Sequence, residues 1–302
     1  MINFIFTVGV IVIVGLLVLP LMGRTKLTVL EPFVNLEGVS DYELEIMDTK
    51  RAESEQVKRK ENYPKLYKGG KTGVLLIHGF TGAPYELAPL AEYLHEQGFT
   101  VYQARVAGHG SSPENLNELE YDEWYDSVKY GYFVLKNNCD KVIVLGQSMG
   151  ALVAVNTVVN NGADGLIMLA PCIEVSSSLA PFSRYIKRFK KYEDKKIDEQ
   201  YKDFFYDLYP LASVEQLVNF SIYTRRLAKD INIPVLMFQH KNDKVVRADS
   251  AADFFKRISS KDKKAVFYEK DKSGYHALAR DKNPHREQMF SDIKEWINGI
   301  GN

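Results

Sequence analysis

The 302-residue chain has little cysteine, with only two residues of that type. Cys139 and Cys172 are too few for a disulfide framework, and neither stands in a C-x-x-C or zinc-ligand spacing, so they read as packed thiols. Net charge is also missing: 39 Lys and Arg balance 39 Asp and Glu. Without a basic stripe there is no electrostatic reason to expect a nucleic acid partner. Internal repeats and low-complexity tracts are absent, which removes solenoids from consideration. What remains is a 45% hydrophobic chain, ample for one large α/β domain plus an extra element. A small neutral or apolar substrate suits it best.

Polar side chains are scarcest in residues 4–22, where Thr7 is the one plainly polar residue. As a helix this run would be roughly 28 Å long, close to the hydrocarbon thickness of a bilayer. No Lys or Arg precedes it, it is long for a signal-peptide core, and no A-x-A site follows. The expectation is an N-terminal transmembrane helix over residues 1–23, giving a single-pass protein with the membrane as a partner. Arg24 and Lys26 follow the run, which by the positive-inside rule puts the long C-terminal part in the cytoplasm. Residues 24–70, with a charged stretch at 50–61 and a Gly69-Gly70 turn, read as a tether with some local helix.

From Gly73 onward the pattern alternates. Strands are expected at 74–77, 100–106, 141–145 and 165–169, with helices at 84–96, 121–136 and 149–159 between them; the first has Leu87, Leu90, Ala91 and Leu94 at helical spacing. Such βα units predict an α/β fold with a doubly wound, mostly parallel sheet. The alternation stops over about 172–232, where a charged, aromatic stretch would overhang the carboxyl ends of the strands as a cap. The core then resumes with strands at 235–238 and 265–268 and helices near 248–257 and 284–297.

The chemistry is carried by Gly146-Gln147-Ser148-Met149-Gly150, a G-x-S-x-G pattern between a predicted strand and a predicted helix. A serine on so sharp a turn needs near-absent side chains two positions either side, which Gly146 and Gly150 supply. Serine is a weak nucleophile and needs a base, which in turn needs an orienting acid. In chain order the acid comes next and the histidine last, each after a strand. Asp243 and His276 stand in those places. Asp249 and Asp253 are rivals that fall in the next helix; His285 opens the last helix, His95 lies in a helix, and His240 comes one step too early. An oxyanion hole is expected from the amide of Met149 and, in the loop His78-Gly79-Phe80-Thr81-Gly82, the amide of Phe80.

These motifs, with Gly108-His109-Gly110, Tyr121-Asp122-Glu123-Trp124 and Ser273-Gly274-Tyr275-His276, resemble the carboxylesterase and bacterial monoacylglycerol lipase branch of the α/β-hydrolase superfamily. The similarity runs from about residue 73 to 296. It implies an α/β-hydrolase domain over 71–302 with a helical cap at 172–232 over an acyl pocket. It also implies a serine esterase with Ser148, Asp243 and His276 as the triad and Phe80 and Met149 at the oxyanion hole. His109 is expected to shape the site rather than act chemically. The expected reaction is hydrolysis of a small-molecule carboxylic ester, acyl or aryl and including monoacylglycerols, with no cofactor and no metal. A thioesterase, an acyltransferase or a peptidase would use the same residues, and an inactive membrane-tethered scaffold is the reading from another class. Ser148 in place of a carboxylate excludes epoxide hydrolase and haloalkane dehalogenase chemistry.

Overall fold

The structure, a computed structural model, describes residues 27–269 and 275–301. Its centre is a seven-stranded sheet of order β1-β3-β2-β4-β5-β8-β9. The strands are β1 (Lys65–Tyr67), β2 (Thr72–Ile77), β3 (Thr100–Ala104), β4 (Lys141–Gln147), β5 (Gly165–Leu169), β8 (Val235–His240) and β9 (Lys263–Tyr268). All neighbours pair in parallel except β1, which runs antiparallel to β3 at one edge. The central strands are buried on both faces and therefore read as continuous apolar runs, as in Val74-Leu-Leu-Ile77. Along β2, Leu75 and Ile77 enter one core, with the helices Lys129–Asn138 and Met149–Asn161. Val74 and Leu76 enter the other, with Ala88–Glu96 and Arg286–Gly299. This period of two is what layers helices on both faces.

Local chemistry moves several expected boundaries. The helix expected over 84–96 begins as a 3-10 turn, Pro84–Leu87, and becomes α-helical only at Ala88, with Pro89 in its first turn. The helix expected over 121–136 is two, Tyr121–Asp126 and Lys129–Asn138. The break falls at buried Ser127, whose hydroxyl donates to the Trp124 carbonyl at 2.7 Å and accepts from the Ala107 amide at 3.1 Å. A hydroxyl so engaged competes with the helical ladder. The insertion is less helical than expected. Beside the helix Leu211–Thr224 it contains an antiparallel pair, β6 (Tyr192–Asp194) and β7 (Leu208–Pro210).

The expected N-terminal transmembrane helix is corrected. The run 4–22 lies outside the described residues, and among the described residues no helix is long and apolar enough to cross a membrane. The longest described helices have 14 residues, roughly 21 Å, against a hydrocarbon core of about 30 Å. The single-pass location, the cytoplasmic orientation and the membrane as partner all rested on that helix and are corrected with it.

Residues 27–64 lie against the sheet domain. Leu30, Phe33, Leu44, Ala52 and Val57 are buried, and Phe33 stacks on Tyr125 at 4.6 Å. The helix Asp41–Ser54 opens with a Ser40–Glu43 capping box. Its Asp48 is buried, accepts from the Tyr102 hydroxyl at 2.7 Å, and is pushed by burial up to about 6. A folded-state value above the unfolded one means the folded chain keeps a proton that the unfolded chain has released. That contribution is present below about pH 4 and lost as pH rises through about 6. Asp48→Asn, which keeps an acceptor for Tyr102, is therefore expected to match the parent near pH 4 and to exceed it by about 2 kcal/mol at pH 8 in urea unfolding. An equal difference at both pH values would refute this account.

Candidate active site

Ser148 stands at the carboxyl end of β4, where the chain turns into the helix Met149–Asn161, with φ 56° and ψ −115°. The turn is sterically closed. A Cβ on Gly146 would lie 2.0 Å from the Gly150 carbonyl oxygen, and one on Gly150 would lie 2.1 Å from that of Ile77. Both obstacles are backbone and cannot swing away. Gly146→Ala is thus expected to cost about 3 kcal/mol or more, read as a fall in melting temperature or soluble yield. Gly299→Ala, with nothing within 4 Å of the added carbon, should leave the melt unchanged.

The structure brings Ser148, Asp243 and His276 together. His276 Nε2 lies 2.8 Å from Ser148 Oγ, and His276 Nδ1 lies 2.8 Å from Asp243 Oδ2. Asp243 follows β8, and its side chain is fully shielded from solvent. Its Oδ1 accepts from the amides of Val245 and Val246 at 2.8 and 3.1 Å, and Oδ2 also accepts from Gln239 Nε2 at 3.3 Å. With this carboxylate accepting at Nδ1, the imidazole proton sits on Nδ1 and Nε2 is left to accept from the serine. The rivals lie elsewhere. Asp249 pairs with Arg247 and Asp253 with Lys256 at the surface. His285 stacks on Tyr268 at 4.3 Å, His95 packs against Tyr67, and His240 is buried near Tyr268 and Tyr275. Cys172 is buried beside the site, and burial, with the charge of Asp243, pushes its thiol up to about 12, an inert group.

Met149 follows Ser148 directly, and Gly79, the residue before Phe80, comes so close that a Cβ on it would lie 3.3 Å from the Ser148 Cβ. Met149 opens its helix, where amides lack intrahelical acceptors. In the loop after β2, the Gly79 amide is taken by Glu86 Oε2 at 2.7 Å. Buried His78 orients the next peptide. Its Nε2 accepts from the Val106 amide at 3.1 Å, so Nδ1 carries the proton and donates to the Gly79 carbonyl at 2.9 Å. Because a trans peptide is planar, holding that carbonyl also fixes the opposed direction of the Phe80 N–H. Burial brings His78 down to about 4, which keeps the ring neutral and its Nε2 free to accept at pH 7. His109 is buried, with its ring 5.1 Å from that of His78 and 6.1 Å from that of Phe80.

Lys195, Tyr206, Arg280 and Tyr209 in this neighbourhood carry no mark in the sequence. Lys195, from the insertion, donates to Thr81 Oγ1 at 2.6 Å, and burial lowers its ammonium to about 8. Thr81 itself has φ 57°, and its carbonyl accepts from the Tyr206 amide at 3.2 Å. Arg280 lies 3.6 Å from Glu86 and over the rings of Tyr201 and Phe205 at 4.4 and 4.3 Å. Phe80 faces Tyr209 across 6.3 Å with ring planes within 4° of parallel, and Trp124 at 5.8 Å. These partners come from segments far apart in the chain, so no local pattern announces them.

The profile of the serine aminopeptidase S33 family of hydrolases matches residues 70–201 and 196–283. The chain belongs to this family. A curated relative, a carboxylesterase of Bacillus subtilis (strain 168), is 27% identical over 241 residues, covering 78% of this chain and 95% of that one. Another, the thermostable monoacylglycerol lipase of Bacillus sp. (strain H-257), is 30% identical over 235 residues, covering 73% and 92%. Among solved structures, a metagenome-derived lipolytic enzyme superposes with a TM-score of 0.72 at 22% identity, covering 79% of this chain and 98% of that one. The monoacylglycerol lipase of Paleococcus ferrophilus gives 0.67 at 19%, covering 78% and 97%. At such identities the superpositions show the shared α/β-hydrolase fold. Together with the curated relatives, they mark this S33 member as a serine hydrolase acting on ester bonds.

Proposed function

We propose that the chain cleaves acyl or aryl carboxylic esters, monoacylglycerols among them, through an acyl-enzyme on Ser148. The observation that supports this most directly is the unbroken run of hydrogen bonds from Asp243 through His276 to Ser148, 2.8 Å at each step. Ser148 Oγ attacks the acyl carbon as its proton passes to His276 Nε2, and the amides of Phe80 and Met149 hold the oxyanion. His276 then gives that proton to the departing alkoxide. A water attacks the acyl-enzyme with His276 again as base, releasing the acid and restoring the serine.

The aromatic walls favour an apolar acyl or aryl group. Phe80, Tyr209 and Trp124 lie together, and Ser148 is only 7% exposed. Residues 71–302 serve as the hydrolase domain in this reading, with the insertion at 172–232 as its cap.

The test is a fluorophosphonate probe followed by a substrate panel. Labelling should map to Ser148, and a monoacylglycerol and p-nitrophenyl esters should turn over faster than a thioester or an aminoacyl amide. Labelling of another residue would defeat the mechanism. A preference for the aminoacyl amide would replace the ester reading with the peptidase that the family description names.

A further inference from the structure

The family match begins at residue 70, yet the segment before it reaches toward the oxyanion loop. Glu55 follows the helix Asp41–Ser54, and its Oε2 accepts from the Gly108 amide at 2.6 Å and from Arg105 NH1 at 2.7 Å. The Arg105 side chain is wholly buried, and its NH1 donates also to the His109 carbonyl at 3.1 Å. Burial pushes the Glu55 carboxyl up, but the Arg105 hydrogen bond and charge and the Gly108 amide outweigh it and hold the group below its ordinary value. One carboxylate therefore closes the turn 105–110, which contains two glycines at positive φ, Gly108 and Gly110.

That turn supports the site. Val106, next to Arg105, donates its amide to His78 Nε2, and His78 Nδ1–H holds the Gly79 carbonyl. The peptide so held ends in the Phe80 N–H. The upstream segment is anchored at Glu55 itself and seven residues beyond it. Asn115 Nδ2 donates to the Glu55 carbonyl at 2.7 Å, and Asn62 Nδ2 donates to the Phe204 carbonyl of the insertion at 2.9 Å.

We propose that Glu55 is a positioning residue for the oxyanion hole, acting through Arg105, the Gly108 turn and His78 on the Phe80 amide, so that residues ahead of the hydrolase fold complete its active site. The proposal rests on the reading of Phe80 and Ser148 given above. Removing the carboxylate frees the 105–110 turn, which loosens the acceptor geometry of His78 and the direction of the Phe80 N–H. The loss falls on the transition state, where the oxyanion forms, and leaves ground-state substrate binding nearly untouched.

Glu55→Ala in the full chain is expected to lower kcat for a p-nitrophenyl ester about tenfold with KM changed less than about twofold. It should weaken a boronic acid inhibitor, which presents a tetrahedral oxyanion, by the same factor. Glu55→Gln keeps an acceptor for Gly108 without the charge facing Arg105, and should fall between the two. Leu44→Ala, at a fully buried position of the same upstream helix, should lower the melting temperature without changing kcat. Wild-type kcat and boronate affinity in both Glu55 variants would overturn the proposal, as would a kcat loss in Leu44→Ala as large as that in Glu55→Ala. Where Glu55→Ala does not fold, Glu55→Gln decides: a kcat loss matched by boronate loss supports the proposal, and wild-type values overturn it. Activity surviving in Ser148→Ala would instead overturn the underlying mechanism, so the two failures are distinguishable.

Discussion

Ser148→Ala is expected to lower kcat toward p-nitrophenyl esters by about 10⁵-fold or more, with no loss of fold. In the proposed mechanism the whole chemical step passes through one oxygen. Ser148 Oγ lies 2.8 Å from His276 Nε2, the proposed base, on a turn whose close packing requires Gly146 and Gly150. Alanine fits the same turn at φ 56° as well as serine does, because the strain belongs to the Cβ that both carry. A melt superimposable on the parent, with activity lost, would separate chemistry from folding. The residual rate should be that of a site that still binds ester and still offers oxyanion donors. Activity within tenfold of the parent would mean that another group attacks the ester.

Asp243→Asn should lower kcat by about 10⁴-fold, for a reason that depends on which oxygen is replaced. Oδ1 is held by the amides of Val245 and Val246, so the asparagine carbonyl is retained there and its NH₂ is turned toward His276. An NH₂ can only donate. It therefore selects the imidazole tautomer with Nδ1 bare and the proton on Nε2, which leaves Ser148 without a base. Asp243 is shielded from solvent, so water cannot readily restore the acceptor. Recovery of kcat as pH rises well above neutrality would agree with this mechanism if hydroxide begins to act for the base. A loss smaller than about tenfold at neutral pH would show that another carboxylate orients the imidazole.

Much of the architecture was legible because it depends on period and punctuation. Runs such as Val74-Leu-Leu-Ile77 and Val142-Ile-Val-Leu145 fill strands buried on both faces, and helical spacing marks the segments between them. Ser148, Asp243 and His276 stood out because each follows a strand in an order that the parallel sheet turns into proximity. The N-terminal expectation failed for a different reason. Hydropathy proposes a span from composition alone, and no described helix is long and apolar enough to make one. The break at Ser127 was also hidden, since the helix pattern on both sides is intact and only the Ala107 amide, 20 residues away, reveals the competing hydrogen bond.

By itself, the sequence determined the alternation of strands and helices, the elbow serine with its two glycines, and the order in which Asp243 and His276 follow it. These are local properties: a β-branched run, an absent side chain and a turn act on their own neighbours. The tertiary structure alone decided which amide of the 78–82 loop is occupied, that Lys195 and Tyr206 from the insertion hold Thr81, and that Glu55 stands beneath the turn next to His78. Apart from the Gly79–Glu86 bond, those contacts join residues separated by 50 or more positions, as the Arg105–Glu55 and Lys195–Thr81 pairs do. They form because charge and backbone polarity taken out of water must be paired with each other, and no stretch of sequence holds that information until the sheet has assembled.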